Sequence, residues 1–591
     1  MDLDIYDTYY TMDNHTFGLN ASLGKLSECK QIFDRHPTID ISRDHEYAFR
    51  YSCFNGHIEV AKWLHEMKPT IDISTDNEFA FRYSCANGHI EMAQWLLEIN
   101  QTIDLSADNE FAFRYSCENG HIDMAKWLIE MKPTINISAE EEYAFRYSCA
   151  RGHIEMAKWL IEMKPTINIS AEEEHAFRYS CARGHIEMAE WLLEIKPSID
   201  ISAFNDRAFR HSCGNGHIEV AKWLLEMKPT IEISADCDYV FRFSCANGHI
   251  EMAKWLLEMK PTIDISACDE FAFRHSCDSG HIEVAKWLHE MKPTIDISAD
   301  DELAFRHSCA NGHIEMSTWL LEMKPTIDIS AVHEYAFGHS CHNGHIEVAK
   351  WLLEMKPTID ISACDELAFR HSCANGHVEV AKWLLEMKPT IDISADDELA
   401  FRYSCANGHI EMSQWLLEMK PTIDISADDE LAFRFSCANG HVEVAKWLFE
   451  IKPLINISAG YECAFRHSCA NGHIEMSTWL LEMKPTINIR AKNDEAFRNS
   501  CFHNKIATWL ITLCDEYYCT AEGTCLVAIK PTYQQDIIID DPCCICYETS
   551  ECITDCAHVV CKTCFAKLDI KKCPLCRGEI KNLFTGNGWM G

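Results

Sequence analysis

A Gly-His pair recurs every 32 residues along most of this chain, from Gly56-His57 to Gly472-His473, without one insertion or deletion. Fourteen copies of this pair argue against a series of unrelated globular domains, although 591 residues would otherwise suggest several. A period of this length is typical of repeat proteins, in which each unit buries its apolar face only against its neighbours. The regular units are therefore expected to stack into one continuous core.

The stretch from Asp300 to Ser330 shows the pattern within one repeat. Its first part predicts a short helix that ends at Asn311-Gly312, a pair suited to a left-handed turn. Its second part predicts another helix, which Pro325 stops, followed by an extended loop. The face of the second helix that is expected to be buried comprises Ile314, Ser317, Leu320 or Leu321, and Met323.

Two apolar positions recur in nearly every unit and are interpreted as core positions. The tryptophan position runs from Trp63 to Trp479, beside a small residue that leaves room for the indole. A cysteine position, from Cys53 to Cys501, accounts for fifteen of the 32 cysteines. Stacked helices lie ~8–10 Å apart, whereas sulfurs on one zinc lie within ~4 Å, so adjacent units cannot share a metal. These cysteines are expected to be small core residues with reduced thiols.

Two polar positions recur as well. The histidine of the Gly-His pair is expected to make a capping or bridging hydrogen bond, because many equivalent histidines are not a catalytic arrangement. An arginine position runs from Arg50 to Arg498, is interrupted only at Gly338, and is expected to bridge to acidic neighbours.

The run Asn-Gly-His-Ile-Glu-Met-Ala-Lys-Trp-Leu-Leu-Glu resembles the second half of an ankyrin repeat, and Ile327-Asp328 matches the family's apolar-Asn pair. Three features depart from the family: Leu303–Arg306 replaces Thr-Pro-Leu-His, the period is 32 where 33 is usual, and Lys-Pro replaces a glycine. The resemblance covers roughly residues 20–513. It implies a mostly α fold, an ankyrin-type solenoid of about fourteen regular repeats with degenerate caps.

The loop before the first helix differs between units, and ankyrin proteins use this loop and the adjoining helix to grip partners. The resemblance therefore implies an unknown protein target on the most divergent units, around residues 200–240 and 330–345. Free drift of exposed loops is the alternative explanation. The candidate target-binding residues are Phe204, Asn205, Asp206, Arg207, His333 and Tyr335.

A second cysteine-rich pattern begins after the repeats, where the two cysteines of a pair are separated by two other residues (Cys-x-x-Cys). Such a pair presents two thiolates from one tight turn, which suits tetrahedral zinc. Eight ligands complete two four-coordinate sites and leave no position for a catalytic water. The eight candidate ligands are Cys543, Cys546, Cys556, His558, Cys561, Cys564, Cys573 and Cys576, while Cys544 and Cys552 fall outside the pattern.

The order and spacing of these ligands resemble the RING finger of the three-Cys, one-His, four-Cys type. The resemblance implies two zinc ions in a cross-brace. One ion would be held by Cys543, Cys546, Cys561 and Cys564, and the other by Cys556, His558, Cys573 and Cys576. So small a module would owe its fold to the metals.

RING fingers typically act as ubiquitin ligases, which hold a charged ubiquitin-conjugating enzyme and orient its thioester towards a substrate lysine. The resemblance implies conjugating-enzyme contacts at Ile545, Leu568, Pro574 and Arg577, and no covalent nucleophile. It predicts a ligase whose ankyrin array binds the target and whose partners are the conjugating enzyme and ubiquitin. The alternative is a non-enzymatic ankyrin scaffold with a structural or dimerising RING.

The charge balance of the chain bears on its partners and location. Ninety-one acidic against 53 basic residues give a net charge of -38, which repels phosphate backbones and favours basic protein surfaces over nucleic acid. No segment approaches the ~18 apolar residues of a membrane span, and the acidic start lacks a secretory signal's apolar stretch. An intracellular, cytoplasmic protein is expected. The near-identical repeats are similar to those of giant-virus ankyrin proteins, which would place the chain in host cytoplasm.

The predicted organisation has five parts. An N-terminal segment with a degenerate capping repeat spans 1–42, and the solenoid with a degenerate last repeat spans 43–513. A linker spans 514–542, the RING-type zinc finger 543–580 and a C-terminal tail 581–591.

Overall fold

The computed structural model describes residues 16–37, 39, 41–500 and 504–514, and beyond them five three-residue strands. Two helices joined by a tight turn form each 32-residue unit, and a loop leads to the next unit. The predicted repeat of two helices and a loop is confirmed. The chain divides into two compact units. The first comprises the described residues up to Ser404 together with Glu411–Ile423, and the second comprises Cys405–Ile410 and the described residues from Asp424 onward.

The helices are numbered along the chain from α1, which covers 16–22. The first helices of the units are α3 (Arg43–Phe54), α5 (Thr75–Ala86), α7 (Ala107–Glu118), α9 (Ala139–Ala150), α11 (Ala171–Ala182), α13 (Ala203–Gly214), α15 (Ala235–Ala246), α17 (Ala267–Asp278), α19 (Ala299–Ala310), α21 (Ala331–His342), α23 (Ala363–Ala374), α25 (Ala395–Ala406), α27 (Ala427–Ala438), α29 (Ala459–Ala470) and α31 (Ala491–Asn499). The second helices are α2 (Leu26–Arg35), α4 (Ile58–Met67), α6 (Ile90–Ile99), α8 (Ile122–Met131), α10 (Ile154–Met163), α12 (Ile186–Ile195), α14 (Ile218–Met227), α16 (Ile250–Met259), α18 (Ile282–Met291), α20 (Ile314–Met323), α22 (Ile346–Met355), α24 (Val378–Met387), α26 (Ile410–Met419), α28 (Val442–Ile451), α30 (Ile474–Met483) and α32 (Asn504–Leu513).

The turn between the two helices of a unit follows from the Asn-Gly pair. Gly312 has a φ of +84°, and its amide donates to the carbonyl of Cys309 at 3.1 Å. The next amide, of His313, donates to the carbonyl of Ser308 at 2.8 Å, which closes the left-handed cap of the first helix. The predicted left-handed turn is confirmed.

The core lies between the layer of first helices and the layer of second helices. Phe305 of α19 is fully buried, and its ring centroid lies 6.3 Å from that of the half-buried Trp351 in the second helix of the following unit. Each described cysteine of the repeated position, from Cys53 to Cys469, is buried with a reduced thiol, as predicted. The core therefore couples each unit to its neighbour.

The buried face of the second helix differs from the predicted one. In α20, Met316, Ser317 and Leu320 are buried, whereas Ile314 is 38% exposed and Met323 43% exposed. The prediction was wrong at these last two positions. Ile314 lies on the opposite side of the helix from Met316, and Met323 is the last helical residue, beyond the packed turns.

Two of the repeated histidines, His89 and His153, bridge to the backbone of the preceding unit, as predicted. The ring of His89 hydrogen-bonds to the backbone of Phe54 in the preceding unit, and it lies against Gly56. Burial lowers the pKa of the imidazole at most of the repeated positions, because desolvation penalises the charged form. The affected residues are His89, His121, His153, His185, His217, His249, His281, His345 and His441.

These lowered pKa values predict a loss of stability in mild acid. Below about pH 6.5, the ordinary pKa of histidine, the unfolded chain binds protons that the folded chain does not bind. The free energy of unfolding therefore decreases as the pH is lowered. Aspartate and glutamate, with ordinary pKa values of about 4, stay ionised above pH 5.5. We expect a clearly lower urea midpoint at pH 5.5 than at pH 7.5, measured by circular dichroism. An equal or higher midpoint at pH 5.5 would contradict this account of the histidines.

The start of the predicted linker packs on the last repeat. Strand β1 (Tyr517–Cys519) pairs with β2 (Cys525–Val527) in an antiparallel hairpin. The ring of Tyr517 stacks on Phe497 with centroids 4.2 Å apart, and its hydroxyl donates to a carboxylate oxygen of Asp494 at 2.9 Å. Tyr517 is buried and therefore covers the end of the apolar core that the last repeat would otherwise expose.

Three further strands form a separate antiparallel sheet in the order β3-β4-β5. They are β3 (Cys552–Thr554), β4 (Leu583–Thr585) and β5 (Gly588–Met590). The sheet joins a segment of the predicted zinc finger to the predicted C-terminal tail. The eight candidate zinc ligands and the four candidate conjugating-enzyme contacts lie outside the described residues.

Candidate partner-binding face

From α5 to α31, three consecutive residues in the left-handed conformation follow the first residue of each first helix, and we call them the tip. In α7 the tip is Asp108–Glu110, with φ between 53° and 64°. A left-handed residue with a side chain costs roughly 1–2 kcal/mol, so a three-residue tip requires specific contacts to hold it. The first helix and its tip form one surface of each unit, which we call the first-helix face.

The repeated arginine supplies the main contacts of the tip. In α7, the Nε of Arg114 donates to the carbonyl of Asn109 at 2.7 Å, and its Nη2 donates to that of Asp108 at 3.0 Å. In α5, the Nη1 of Arg82 also reaches Asp108 in the next unit at 2.7 Å. The predicted bridges to acidic neighbours are thus confirmed for Arg82, and the same side chain also satisfies the tip carbonyls.

The third residue of the tip is always acidic and is also structural. Glu110 is buried, and its Oε1 accepts the backbone amide of Asn136 in the following loop at 3.1 Å. Equivalent bonds recur in the next units, for example from Asn168 to Glu142 at 3.3 Å. Only the first two tip positions therefore remain available for contact with a partner.

A continuous row of rings crosses five first helices, α3 to α11, and we call it the aromatic ladder. Successive ring centroids lie between 4.1 and 6.3 Å apart. All of the rings are half-buried except Phe111, which is buried. The ladder consists of Tyr47, Tyr51, Phe54, Phe79, Tyr83, Phe111, Tyr115, Tyr143, Tyr147, His175 and Tyr179.

The structure brings two of the predicted target-binding residues together at the end of this ladder. Phe204 is 49% exposed at the first tip position of α13, and the guanidinium of Arg207 lies 5.8 Å from its ring. The guanidinium of Arg178 lies over the same ring at 4.4 Å. Asn205 is exposed at the second tip position and Asp206 occupies the third, with its amide bonded to Ser202.

The other predicted residues, His333 and Tyr335, lie four units further along and form a different patch. His333 is exposed at the second tip position of α21. The ring of Tyr335 stands between His307, 5.5 Å away and nearly parallel, and His339, 3.9 Å away. At ~10 Å per stacked unit, this patch is roughly 40 Å from Phe204, so the six residues do not form one site.

Sequence reasoning missed a histidine cluster beside Tyr335. Nδ1 of His342 lies 3.2 Å from Nδ1 of His371. Nδ1 of His307 lies 3.2 Å from a carboxylate oxygen of Asp278, and hydrogen bonds from His275 and His307 hold the pKa of that carboxyl well below its usual range. The signal was present in the sequence, because histidine occupies the same position in four successive units, at His275, His307, His339 and His371, where the first five units have tyrosine.

The interruption of the arginine position falls within the same patch. Gly338 leaves the tip of α21 without a guanidinium, and a cavity of about 10 Å³ remains between that tip and the following unit. A Cβ on Gly338 would lie 3.0 Å from Cδ2 of Leu367, the mobile end of a side chain.

Restoring the arginine should stabilise this unit. We expect Gly338→Arg to raise the free energy of unfolding by about 1 kcal/mol, since it removes a helical glycine and supplies donors to the tip carbonyls. Hydrogen exchange of the α21 amides would measure the change locally. Gly338→Ala is the matched control, and an equal gain from alanine would show that the guanidinium contributes nothing.

A groove of about 510 Å³ lies at the tips of α27, α29 and α31. It is lined by Tyr461, which is 73% exposed and lies 4.2 Å below the ammonium group of Lys492. Asp429 and Asn456 supply polar groups at its edge. The groove is open and shallow, as is usual for a surface that contacts another macromolecule.

A metal-binding cluster and a membrane-spanning helix are two further features that could indicate function in the residues that the structure describes. Among those residues, no three or more His, Cys, Asp or Glu side chains are grouped so as to hold a metal ion. The helices of the same residues include none that is both long and apolar enough to cross a membrane.

Family models of ankyrin repeats match the repeated part of the chain. One family model of ankyrin repeats matches residues 49–141, 145–237, 305–397 and 337–429, which is more than half of the chain, and a second matches residues 270–321. Among solved structures, the crystal structure of the human ASB11 ankyrin repeat domain matches at 16% identity. The match covers 32% of this chain and 95% of that one, with a TM-score of 0.25. No curated protein matches the chain.

Proposed function

The chain belongs to the ankyrin-repeat family, and on that premise we propose that it is a scaffold that binds a protein target on its first-helix face. The observation that carries the proposal is that some tip residues are structural while others are exposed. An acidic residue and, in the units that keep the repeated arginine, a guanidinium hold the tip, while the two remaining tip positions are mostly exposed and vary between units. Variation confined to a rigid exposed surface is the pattern expected of a recognition site.

The face also has the composition of an interface. It combines a row of half-buried aromatic rings with polar tips, and aromatic residues are enriched where proteins bind one another. The opposite surface of the second helices exposes a repeated methionine, such as Met131 at 52% and Met163 at 45%, with little variation between units. A surface that repeats without variation offers less information for choosing a partner.

Charge reversal on the two surfaces would test the proposal. Glu141→Lys with Glu173→Lys changes exposed tip residues, and Glu162→Lys with Glu194→Lys makes the same charge change at exposed positions of the second helices. We expect affinity capture from cells to recover a partner with the wild type and with the second-helix variant, and to lose it with the tip variant. Equal recovery by both variants would contradict a first-helix binding face.

A second candidate function concerns the C-terminal segment, where the spacing of seven cysteines and one histidine favours a RING-type ubiquitin ligase. Thiolates and an imidazole are the donor set that structural zinc prefers, so two zinc ions would be held by the eight residues named above. Zinc would supply the fold of the segment rather than a reactive group. Ile545, Leu568, Pro574 and Arg577 would then contact the charged conjugating enzyme, and a target bound to the ankyrin face would receive ubiquitin.

A further inference from the structure

We propose that the aromatic ladder binds an extended, arginine- or lysine-rich segment of a partner protein, with one basic side chain for each ankyrin unit. The inference rests on the proposed function, because it specifies the partner of the same first-helix face. The proposed binding site comprises the continuous rings between residues 47 and 179 and the exposed carboxylates of the neighbouring tips.

The protein's own arginines show what this surface binds. The guanidinium of Arg82 lies 4.6 Å from the ring of Phe111 while its Nη1 reaches the carboxylate of Asp108 at 2.7 Å. A guanidinium held between an aromatic face and a carboxylate combines a cation–π contact with a charge-assisted hydrogen bond. Arg50 makes the same pair of contacts with Phe79 and Asp76.

Beyond those internal arginines, the tips retain an excess of carboxylates. The four residues Glu140, Glu141, Glu172 and Glu173 are exposed in two adjacent tips. Glu141 and Glu172 lie close enough to shift each other's pKa, which is raised for Glu141 and lowered for Glu172. Two neighbouring carboxylates repel each other, and an incoming cation between them relieves that repulsion.

The rings beneath these tips are held in fixed positions. The hydroxyl of Tyr143 donates to the buried carboxylate of Glu118 at 2.5 Å, and Arg151 donates to the other oxygen of Glu118 at 3.0 Å. Tyr143 also stacks on Tyr147 with centroids 4.2 Å apart. A partner that binds these rings therefore does not have to order them first, which lowers the entropic cost of association.

The geometry of the repeat sets the spacing in the partner. Stacked units follow one another at ~10 Å, and an extended chain advances ~3.3–3.6 Å per residue, so one unit corresponds to about three residues. The five helices of the ladder would thus accommodate about thirteen residues with a basic side chain at every third position. The net charge of -38 attracts such a segment from a distance.

Synthetic peptides provide the test, with the full-length protein and fluorescence anisotropy as the readout. The probe has arginine at every third position, Arg-Ser-Thr repeated four times and closed by a fifth arginine. A control peptide of the same composition has its five arginines consecutive. We expect the periodic peptide to bind about tenfold more tightly than the clustered one, since only the first can place one arginine on each unit.

Variants of the protein locate the binding. Glu141→Gln with Glu172→Gln, and separately Tyr143→Leu, should each weaken the periodic peptide about tenfold. Leucine occupies the Tyr143 position in other units, for example at Leu303, so the substitution is compatible with the fold. Asp301→Asn with Asp397→Asn removes the same number of exposed tip charges away from the ladder and should leave the affinity within about twofold.

Two results would overturn the inference. The first is that neither peptide binds. The second is that both peptides bind equally tightly and that the Asp301/Asp397 variant weakens binding as much as the Glu141/Glu172 variant does, which would indicate unspecific charge attraction. Failure of the inference remains distinct from failure of the proposed function. If the Glu141/Glu173 charge reversal still abolishes partner capture while the peptides do not bind, the face is a binding site for a partner of other chemistry.

Discussion

Gly216→Ala is expected to destabilise its repeat by at least about 2 kcal/mol, among the largest effects of any single methyl group added to this protein. Gly216 has a φ of +78°, a conformation that costs an alanine roughly 1–2 kcal/mol. Its Cβ would also lie 2.5 Å from Nδ1 of His249, whose imidazole packs against this turn from the next unit. The substitution thus disturbs both the turn within one unit and the contact between two.

The same helix pair offers a matched control. Gly214, two residues earlier, is the last residue of α13, and the nearest atom to an added Cβ is Cβ of Phe243 at 3.9 Å. Gly214→Ala should be neutral or stabilising by up to about 1 kcal/mol, because alanine favours the helix. Hydrogen exchange of the α13 and α14 amides would separate the two variants, and equal protection in both would show that the left-handed turn does not limit stability.

Loss of zinc from the C-terminal segment is the second prediction with a large expected effect. Structural zinc contributes on the order of 10–16 kcal/mol to small zinc domains, so Cys561→Ser should lower the zinc content and abolish ubiquitin transfer. The measurements are metal analysis of the purified protein and an in vitro ubiquitination assay with a panel of conjugating enzymes. Cys544→Ser is the control, since Cys544 stands beside the predicted ligands but outside their pattern and should leave two zinc ions bound.

Contact residues separate ligase activity from a purely structural role. Ile545→Ala and Arg577→Ala should keep two zinc ions and yet lose most ubiquitin conjugates, because they change the predicted conjugating-enzyme surface. Loss of zinc from Cys544→Ser to the same extent as from Cys561→Ser would contradict the ligand assignment. No conjugates from the wild type across the whole panel, with two zinc ions bound, would leave a non-enzymatic ankyrin scaffold.

The repeat period was sufficient to predict the helices, their turn and most of the core. A glycine that recurs at a fixed position, such as Gly312, indicates a left-handed turn or a close contact with the backbone. A small residue such as Cys309 recurs only where space is restricted. The ends of the second helix were less predictable, because Met323 has the periodicity of a core residue but lies past the last packed turn.

The tips were not predicted because their conformation contradicts their local propensity. A sequence such as Ala139–Glu142 favours an ordinary right-handed helix start, with acidic residues in the first turn. In the structure, Glu140 to Glu142 are left-handed, and Arg146 and the loop of the next unit hold them. Contacts from residues five to 26 positions away therefore decide the conformation, and such contacts leave no local signal.

The aromatic ladder could have been recognised from the sequence. Its rings stand four residues apart on one helix and repeat after 32, as in Tyr143 and Tyr147 after Phe111 and Tyr115. The sequence prediction was based on the loops that differ between units, and it therefore selected Phe204 and His333 instead. A constant feature can also be a binding surface, because its repetition suits a partner that is itself periodic.

The most direct test of the account is a hydrogen-exchange footprint of the captured partner on the full-length protein. We expect protection at the tips and first helices between residues 43 and 214, with the second helices of the same units, such as Ile122–Met131, unchanged. Protection confined to the second helices, or no protection in the repeats at all, would contradict the claim that the first-helix face binds the target.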